Sequence, residues 1–187
     1  YLNLDSRVSK GWDFGLIYKV PDFGMGKFRL SLNVAYLMSF VQSAGPDGQE
    51  IIDGIASGVL PLDVTVGGLG ELVEIEGRPK WRATGAINWG SGPVDIGLFG
   101  QYTGKVYDTS VIRDVLIDSD DPNANYYPVH DQFTLNLSIA YTIKNDTPLD
   151  GTRLRFAINN LFNEDPPLAD EDYGFFSSLY TARCRVF

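Results

Sequence analysis

The hydrophobic pattern of the chain has a period of two, over segments longer than ordinary strands. In KFRLSLNVAYLMSF, residues 27–40, apolar side chains occupy every even position from Phe28 to Phe40, and mostly polar residues lie between them. This alternation predicts a β-strand with one apolar face. Strands of globular proteins usually contain about five or six residues. A strand of about fourteen residues, at about 3.3 Å each and tilted by about 45°, would cross the ~30 Å hydrocarbon core of a membrane.

Seven segments alternate in this way and are predicted to form strands. They are residues 11–20, 27–40, 80–89, 94–107, 133–143, 153–162 and 180–187. Short turns rich in Gly, Pro, Asn and Asp alternate with long loops between them. The turns are residues 21–26, 90–93 and 145–151, and the loops are residues 41–79, 108–128 and 163–178. Antiparallel hairpins would place all turns at one end of the sheet and all loops at the other, which is the rule for outer-membrane barrels.

The charges follow the same division. The long loops hold seventeen acidic and two basic residues, whereas the rest of the chain holds seven acidic and thirteen basic ones. A soluble domain gives no reason for this segregation. The net charge of -9 argues against nucleic acid as a partner. One Cys and one His exclude a disulfide framework and a Cys/His metal cage, and the sequence indicates neither a metal nor a cofactor.

Aromatic residues recur near the ends of the predicted strands, where their rings would suit the two membrane interfaces. They are Trp12, Trp81, Trp89, Tyr102, Tyr141, Phe162 and Tyr180. We therefore predict an all-β fold, a transmembrane antiparallel β-barrel with its apolar face toward lipid and its polar face toward the lumen. Bacterial single-chain barrels have an even number of strands. Seven strands, in a chain that begins without Met or a signal peptide, are expected to be a piece of a longer barrel.

The segment LRFAINNLFNEDPP, residues 154–167, resembles the penultimate strand of TonB-dependent outer-membrane receptors. That family carries an Asn-Leu-Phe element, an acidic residue and prolines, and then a final strand that opens near an Arg and ends in Phe. The earlier hairpins are similar to the late hairpins of these receptors, so the resemblance covers the whole chain. Ala182 departs from the usual Gly, and Phe187 breaks the alternation of the last strand. The matching motif residues are Asn160, Leu161, Phe162, Arg183 and Phe187.

The resemblance implies a barrel of 22 strands, of which residues 1–187 would form the C-terminal part, about seven strands. In such receptors an N-terminal plug domain, absent from this chain, fills the barrel and contacts TonB, which energises import across the outer membrane of Gram-negative cells. Substrates include siderophores, cobalamin and oligosaccharides. The implied partners are outer-membrane lipid, lipopolysaccharide, TonB, the extracellular substrate and the barrel-assembly machinery, which reads the terminal Phe.

Two sets of residues are candidates for functional contacts. Polar and basic residues on the lumen face are expected to meet the plug; the alternative is that they are solvated. These are Lys27, Arg29, Asn33, Arg82, Lys105, Arg153, Arg155 and Arg185, of which the residues at 27, 29, 153, 155 and 185 are expected near the periplasmic end. Residues of the long loops are expected to contact the substrate; the alternative is a passive lid. These are Asp53, Asp63, Asp118, Asp120, Asp121, Tyr126 and Tyr127.

The apolar loop of residues 50–77 is expected to fold at the mouth of the barrel, with Val73 and Ile75 extending the following strand. An enzyme is not predicted, because the adjacent His130 and Asp131 would face opposite sides of a strand. Active import by a TonB-dependent receptor is therefore the predicted function. A passive porin-type barrel and a soluble β-sandwich binding module remain the alternatives.

Overall fold

The computed structural model describes residues 6–21, 24–60, 68–113, 121, 123–182 and 185–186. Nine strands and one helix form in this part of the chain. They are β1 (Arg7–Val20), β2 (Lys27–Gln42), α1 (Pro46–Ala56), β3 (Gly70–Glu71), β4 (Trp81–Ser91), β5 (Val94–Thr103), β6 (Val106–Ile112), β7 (Tyr126–Val129), β8 (Gln132–Thr142) and β9 (Arg153–Ile158).

Six long strands form one antiparallel sheet in the order β1-β2-β4-β5-β8-β9. The two-residue strand β3 pairs with the end of β2, and β6 pairs with β7 in a separate two-stranded sheet. Six of the seven predicted strand segments therefore lie in the main sheet. Within the described residues the sheet does not close, because β1 and β9 each have one unpaired edge.

The cross-strand register places apolar residues opposite apolar residues across the whole sheet. Leu16 lies opposite Leu32, Leu98 opposite Ile87 and Leu137, and Ile139 opposite Phe156. At the long-loop end of this apolar face, Trp12, Tyr36 and Trp81 form an aromatic row with ring centroids 4.3 to 6.0 Å apart. The opposite face is mostly polar or small, with Ile17 and Phe99 as apolar exceptions.

A bulge between Lys10 and Gly11 breaks the alternation of the first hairpin. A Cβ at Gly11 would lie 2.4 Å from the carbonyl oxygen of Tyr36, so only glycine permits this close approach. Beyond the bulge Phe40 lies opposite Ser9 rather than an apolar partner. The expectation that Phe40 continues the lipid face is wrong, because its ring packs against buried loop residues and beneath the guanidinium of Arg78, 5.1 Å away.

The predicted strand of residues 94–107 is interrupted at Gly104 and Lys105. Gly104 N–H donates to the Trp81 carbonyl, and a Cβ at Gly104 would lie only 3.0 Å from that oxygen. The chain then leaves the main sheet and enters β6. Val106, expected on the lipid face, is instead fully buried in a core of loop residues.

The long loop of residues 41–79 contains helix α1, which the alternation did not predict. Its proline lies in the first turn, where the missing N–H has no helical partner, but Gly48 and Gly54 lower its helix propensity. The expected extension of the next strand through Val73 and Ile75 is wrong. Glu74 and Glu76 both have a positive φ, so the chain turns at each of them instead of continuing as a strand. β4 begins only at Trp81. No helix in the described ranges is long and apolar enough to span a membrane.

The penultimate predicted strand is shorter than expected, and no strand forms in the described residues of the last predicted segment. β9 ends at Ile158, and in the final segment Val186 makes an isolated bridge with Asn159. Tyr180 does not lie in an interfacial aromatic girdle but is buried among loop residues. Arg183, Cys184 and Phe187 lie outside the described residues, so the terminal motif remains a prediction.

Candidate functional site

A cluster of cations lies on the polar face of the sheet at its short-turn end. We call it the basic band, and define it as Lys19, Lys27, Arg29, Arg153 and Arg155. The strand register creates it, because Lys19 lies opposite Arg29 while one cross-strand row joins Lys27, through Asp95, to Arg155. The five cations and Asp95 line an open hollow of about 850 Å³.

Among the described residues, only one member of the basic band has a partner. An Arg153 guanidinium nitrogen lies 2.9 Å from Oδ2 of Asp95, and both side chains are more than half exposed. Within the described chain, the other four cations make neither an ion pair nor a hydrogen bond. The band therefore presents positive charge that the visible part of the sheet does not neutralise, and it can receive carboxylates or backbone carbonyls from another segment.

The remaining predicted lumen residues lie elsewhere. Asn33 and Arg82 are on the polar face nearer the loops, opposite Thr84 and Thr103 respectively. Lys105 lies beyond the end of β5, at the opposite end of the sheet from the basic band. The expectation that Arg185 lies near the short turns is wrong, because the bridge of Val186 with Asn159 places this segment beside the middle of the sheet.

At the other end, the long loops fold together into what we call the loop cap, which comprises residues 69–80, 104–113, 121, 123–131 and 160–180. Val106 and Val129 of the β6–β7 hairpin pack with Ala169, Phe176 and Tyr180. Leu72, Ile75 and Tyr107 form a second cluster. Two hydrophobic cores thus join segments that are far apart in sequence.

Two carboxylates, the buried Asp108 and the partly buried Glu76, connect segments of the loop cap. Asp108 is 1 % exposed, and its Oδ1 accepts hydrogen bonds from the N–H and hydroxyl of Ser110, at 3.0 and 2.5 Å. Its Oδ2 accepts the N–H of Asp170 at 2.6 Å. Oε1 of Glu76 likewise accepts the N–H of Thr109 at 2.8 Å and also its hydroxyl. These acids satisfy backbone groups and are not free to bind a ligand with the same oxygens.

Glu71 joins the cap to the end of β2. Its Oε1 accepts the Phe40 N–H and its Oε2 accepts the Ser39 hydroxyl, both at 2.7 Å. Burial by itself would raise the pKa of this carboxyl, but these hydrogen bonds favour the charged form more strongly and lower the pKa. Glu71 therefore links β2 to the following loop through hydrogen bonds to its charged carboxylate.

A second polar cluster joins Lys105, Tyr107 and Asp121. The Tyr107 hydroxyl donates to Oδ2 of Asp121 at 2.6 Å, and the Lys105 ammonium lies 3.0 Å from the hydroxyl and 3.2 Å from the carboxylate. The hydrogen bond with Tyr107 is the main cause that lowers the pKa of Asp121 and raises that of Lys105. Burial raises the pKa of Tyr107, and the bond to Asp121 adds to this rise.

Of the predicted substrate contacts, Tyr126 and Tyr127 pack against the hydrophobic clusters of the cap, and Asp121 belongs to the cluster just described. Asp53 lies on α1, where it accepts a hydrogen bond from Gln49 at 2.8 Å. Asp63, Asp118 and Asp120 lie outside the described residues. The four of these residues that the structure describes are spread over α1 and the cap, and the contact of all seven with substrate stays a prediction.

Sequence reasoning missed the structural roles of Asp108, Glu71 and Glu76. One signal was present, since Asp108 follows Val106 and Tyr107 directly and an acid next to a strand's apolar residues indicates a specific partner. The partners themselves, Ser110 excepted, are 31 to 62 residues away along the chain. Local patterning carries no information about contacts at that distance.

Asn160 of the predicted family motif forms a corner at the end of β9. It has a φ of 53°, and its N–H donates to the side-chain oxygen of Asn136 at 2.8 Å. Its amide side chain both donates to the Glu164 carbonyl and accepts the Glu164 N–H, at 2.8 and 2.9 Å. Asn tolerates the left-handed backbone region better than most residues. Asn160 therefore turns the chain out of the sheet and fixes the start of the following loop.

Comparison with known families agrees with this architecture. A family model described as TonB dependent receptor-like, beta-barrel, matches residues 1–161. The chain therefore belongs to the TonB-dependent receptor β-barrel family, a class of outer-membrane barrels that serve in transport and are not an enzyme class. The predicted family and the predicted barrel fold class are confirmed. Neither a curated protein nor a solved structure matches the sequence at a significant level.

Proposed function

We propose that the chain is the C-terminal part of the barrel domain of a receptor that imports its substrate actively, with energy supplied through TonB. In this proposal residues 1–187 contribute strands to a larger barrel, and the plug that contacts TonB is formed by another part of the protein. The observation that carries the proposal is the opposition of the two faces, one apolar along six strands and the other polar and basic.

The apolar face supports contact with outer-membrane lipid, and its long-loop rim with lipopolysaccharide. Phe14, Leu16 and Phe156 are each about half exposed on this face, far more apolar surface than a soluble protein leaves uncovered. A β-sandwich would require a second sheet over these residues, and the described strands supply none there. Folding such a sheet into lipid would require the barrel-assembly machinery as a partner.

Adjacent residues of β2 offer a matched test of lipid contact. Leu32 lies on the apolar face and Ser31 on the polar face at the same height. In the full-length receptor, Leu32→Lys should lower the free energy of unfolding by about 2–4 kcal/mol, because a lysine would be placed in the hydrocarbon core. Ser31→Lys should change it much less. Equal losses for the two variants in lipid vesicles would contradict the lipid assignment.

The basic band supports an interior partner that brings carboxylates or carbonyls, and we assign that role to the plug. Four cations that have no partner among the described residues lie on one wall and repel one another, and a partner of opposite charge would relieve this repulsion. In the full-length receptor, the double variant Arg29→Gln with Arg155→Gln should expose the plug to protease several times faster. Lys144→Gln, in the turn before β9, is the control. Unchanged protection in the double variant would contradict this role.

Active import and passive diffusion differ in whether the barrel is open. The full-length receptor in a planar bilayer should carry no steady ion current, because the plug fills the barrel. It should also bind the purified C-terminal domain of TonB. A steady current without TonB would favour the porin-type alternative.

A further inference from the structure

A cavity of about 380 Å³ lies within the loop cap, between residues 68–78, the β6 strand and residues 123–126. This volume falls within the range of small-molecule sites. The cavity is distinct from the basic band, which lies at the opposite end of the sheet. Leu72 and Ile75, which are 6 % and 7 % exposed, form an apolar part of its wall.

Two side chains of opposite charge, Glu76 and Arg78, line the same cavity. Oε1 of Glu76 is held by the N–H and hydroxyl of Thr109. One terminal nitrogen of Arg78 donates to the carbonyls of Ile75 and Glu76, at 3.1 and 3.4 Å, and its guanidinium lies over the ring of Phe40. Both groups are thus fixed in place by the cap itself.

Glu76 and Arg78 do not pair with each other. In the described ranges the salt bridges are Lys105 with Asp121 and Arg153 with Asp95. The second oxygen of Glu76 and the remaining N–H groups of Arg78 make no hydrogen bond there. Opposite charges held apart in one cavity have bonding capacity for a ligand that carries both charges.

The composition of the cavity favours a ligand that carries both charges. Glu71 and Glu76 would attract a cationic group and Arg78 an anionic one, whereas a ligand with a single charge would be repelled by part of the lining. Among the described residues, no group of three or more His, Cys, Asp or Glu side chains could hold a metal ion. The apolar wall of Leu72 and Ile75 favours a hydrocarbon side chain on the ligand.

We propose that this cavity binds a short zwitterionic peptide with apolar side chains, its ammonium at Glu76 and its carboxylate at Arg78. The proposal deepens the proposed function, on which it rests, by naming the class of substrate that the receptor recognises at its outer end. Tyr126 and Asn123 also line the cavity, and in this proposal their polar groups bind the peptide group of the ligand.

The test is calorimetric titration of the full-length receptor in detergent with the dipeptide L-leucyl-L-leucine. We expect saturable binding that weakens by about tenfold to a hundredfold when the amine is acetylated or the carboxylate is amidated, since each change removes a charge-assisted hydrogen bond. The absence of saturable binding, or equal binding of the blocked dipeptides, would overturn the proposal.

Two substitutions assign the ends of the ligand. Glu76→Gln keeps an oxygen that can accept from Thr109, so the cap should remain folded. This variant should bind free and acetylated dipeptide equally, while Arg78→Gln should bind free and amidated dipeptide equally. Asp172→Asn, on an exposed cap residue outside the cavity, is the control and should behave as the wild type. If both cavity variants still bound the free dipeptide more tightly than the blocked ones, the assignment of the ammonium to Glu76 and the carboxylate to Arg78 would be wrong.

Binding in detergent requires no TonB, so the two proposals fail separately. Dipeptide binding without TonB-dependent uptake of the labelled dipeptide into cells would contradict active import alone. TonB association and a closed barrel without dipeptide binding would contradict the peptide site alone.

Discussion

The two ends of the sheet carry opposite charge, and they differ in whether their charged groups have hydrogen-bond partners within the described chain. In the loop cap, Asp108 and Glu76 accept hydrogen bonds from the cap's own backbone and hydroxyl groups, and Glu71 accepts them from the end of β2. In the basic band, Arg153 has one exposed carboxylate partner and the other four cations have none in the described chain. Excess charge in a sequence therefore does not identify a binding surface; the groups that matter are those whose hydrogen-bonding capacity is still unused.

Among changes to the charged groups at the two ends of the sheet, the largest effect should come from the buried carboxylate of the cap, Asp108. Asp108→Ala leaves the Ser110 and Asp170 N–H groups without an acceptor, which should cost about 1–3 kcal/mol or more because the lost acceptor is charged. Hydrogen exchange of the cap in the full-length receptor would report this loss. Asp172→Ala, on an exposed residue, should leave exchange unchanged. Similar hydrogen exchange in the two variants would show that Asp108 stabilises the cap no more than an exposed acid does.

The cluster of Lys105, Tyr107 and Asp121 should make the cap sensitive to pH only at the extremes. The pKa of Asp121 is lowered from 3.8, so its contribution is complete above that pH and is lost as the pH falls through the lowered value. The pKa of Lys105 is raised from 10.5, so its contribution is lost only as the pH rises through the raised value. Exchange at residues 105–107, corrected for intrinsic rates, should be flat between these limits, and Asp121→Asn should abolish the acidic limb.

Neutralising the basic band should barely change the stability of the sheet. Lys27→Gln with Arg29→Gln removes two exposed cations that have no partner among the described residues, so denaturant unfolding of the isolated barrel domain should shift by no more than about 0.5 kcal/mol. The plug should nevertheless become more accessible, as argued above for the variant at Arg29 and Arg155. A loss of stability comparable to that of Asp108→Ala would mean that the band serves the sheet itself.

A small, salt-dependent effect should come from the ion pair of Asp95 with Arg153, the one salt bridge of the band among the described residues. Asp95→Asn breaks the 2.9 Å contact with Arg153, but both side chains are exposed to water. Such pairs contribute about 0.2–1 kcal/mol, and the contribution falls with added salt. The free energy of unfolding should change less between low and high salt in the variant than in the wild type. An equal salt dependence would show that the pair is not formed in solution.

The sheet could be predicted from sequence because each strand carries its own periodic signal. The opposition of Leu16 to Leu32, and of Ile139 to Phe156, follows once apolar faces are aligned across short turns. The cap could not be predicted in this way. Val106 continued the alternation of β5 perfectly, yet Gly104 bends the chain and buries it with Phe176, a partner 70 residues later. Of the candidate site, the sequence indicated the band residues at 27, 29, 153 and 155, but not the cross-strand row that joins Lys27 and Arg155 through Asp95.

The tryptophans of the sheet lie at two depths, one of them in the aromatic row across β1, β2 and β4, so their fluorescence can report depth in the membrane. Of the three tryptophans, Trp12 and Trp81 meet edge to face at 6.0 Å near the loops. Trp89 lies at the short-turn end of the sheet, apart from the other two tryptophans, and its indole N–H donates to the Met25 carbonyl at 2.7 Å. Intrinsic fluorescence therefore comes from two levels, a coupled pair and a single emitter. A quencher confined to one leaflet would reduce the fluorescence of the tryptophans at one depth and not at the other. The orientation of the native chain in the membrane can therefore be measured without a label.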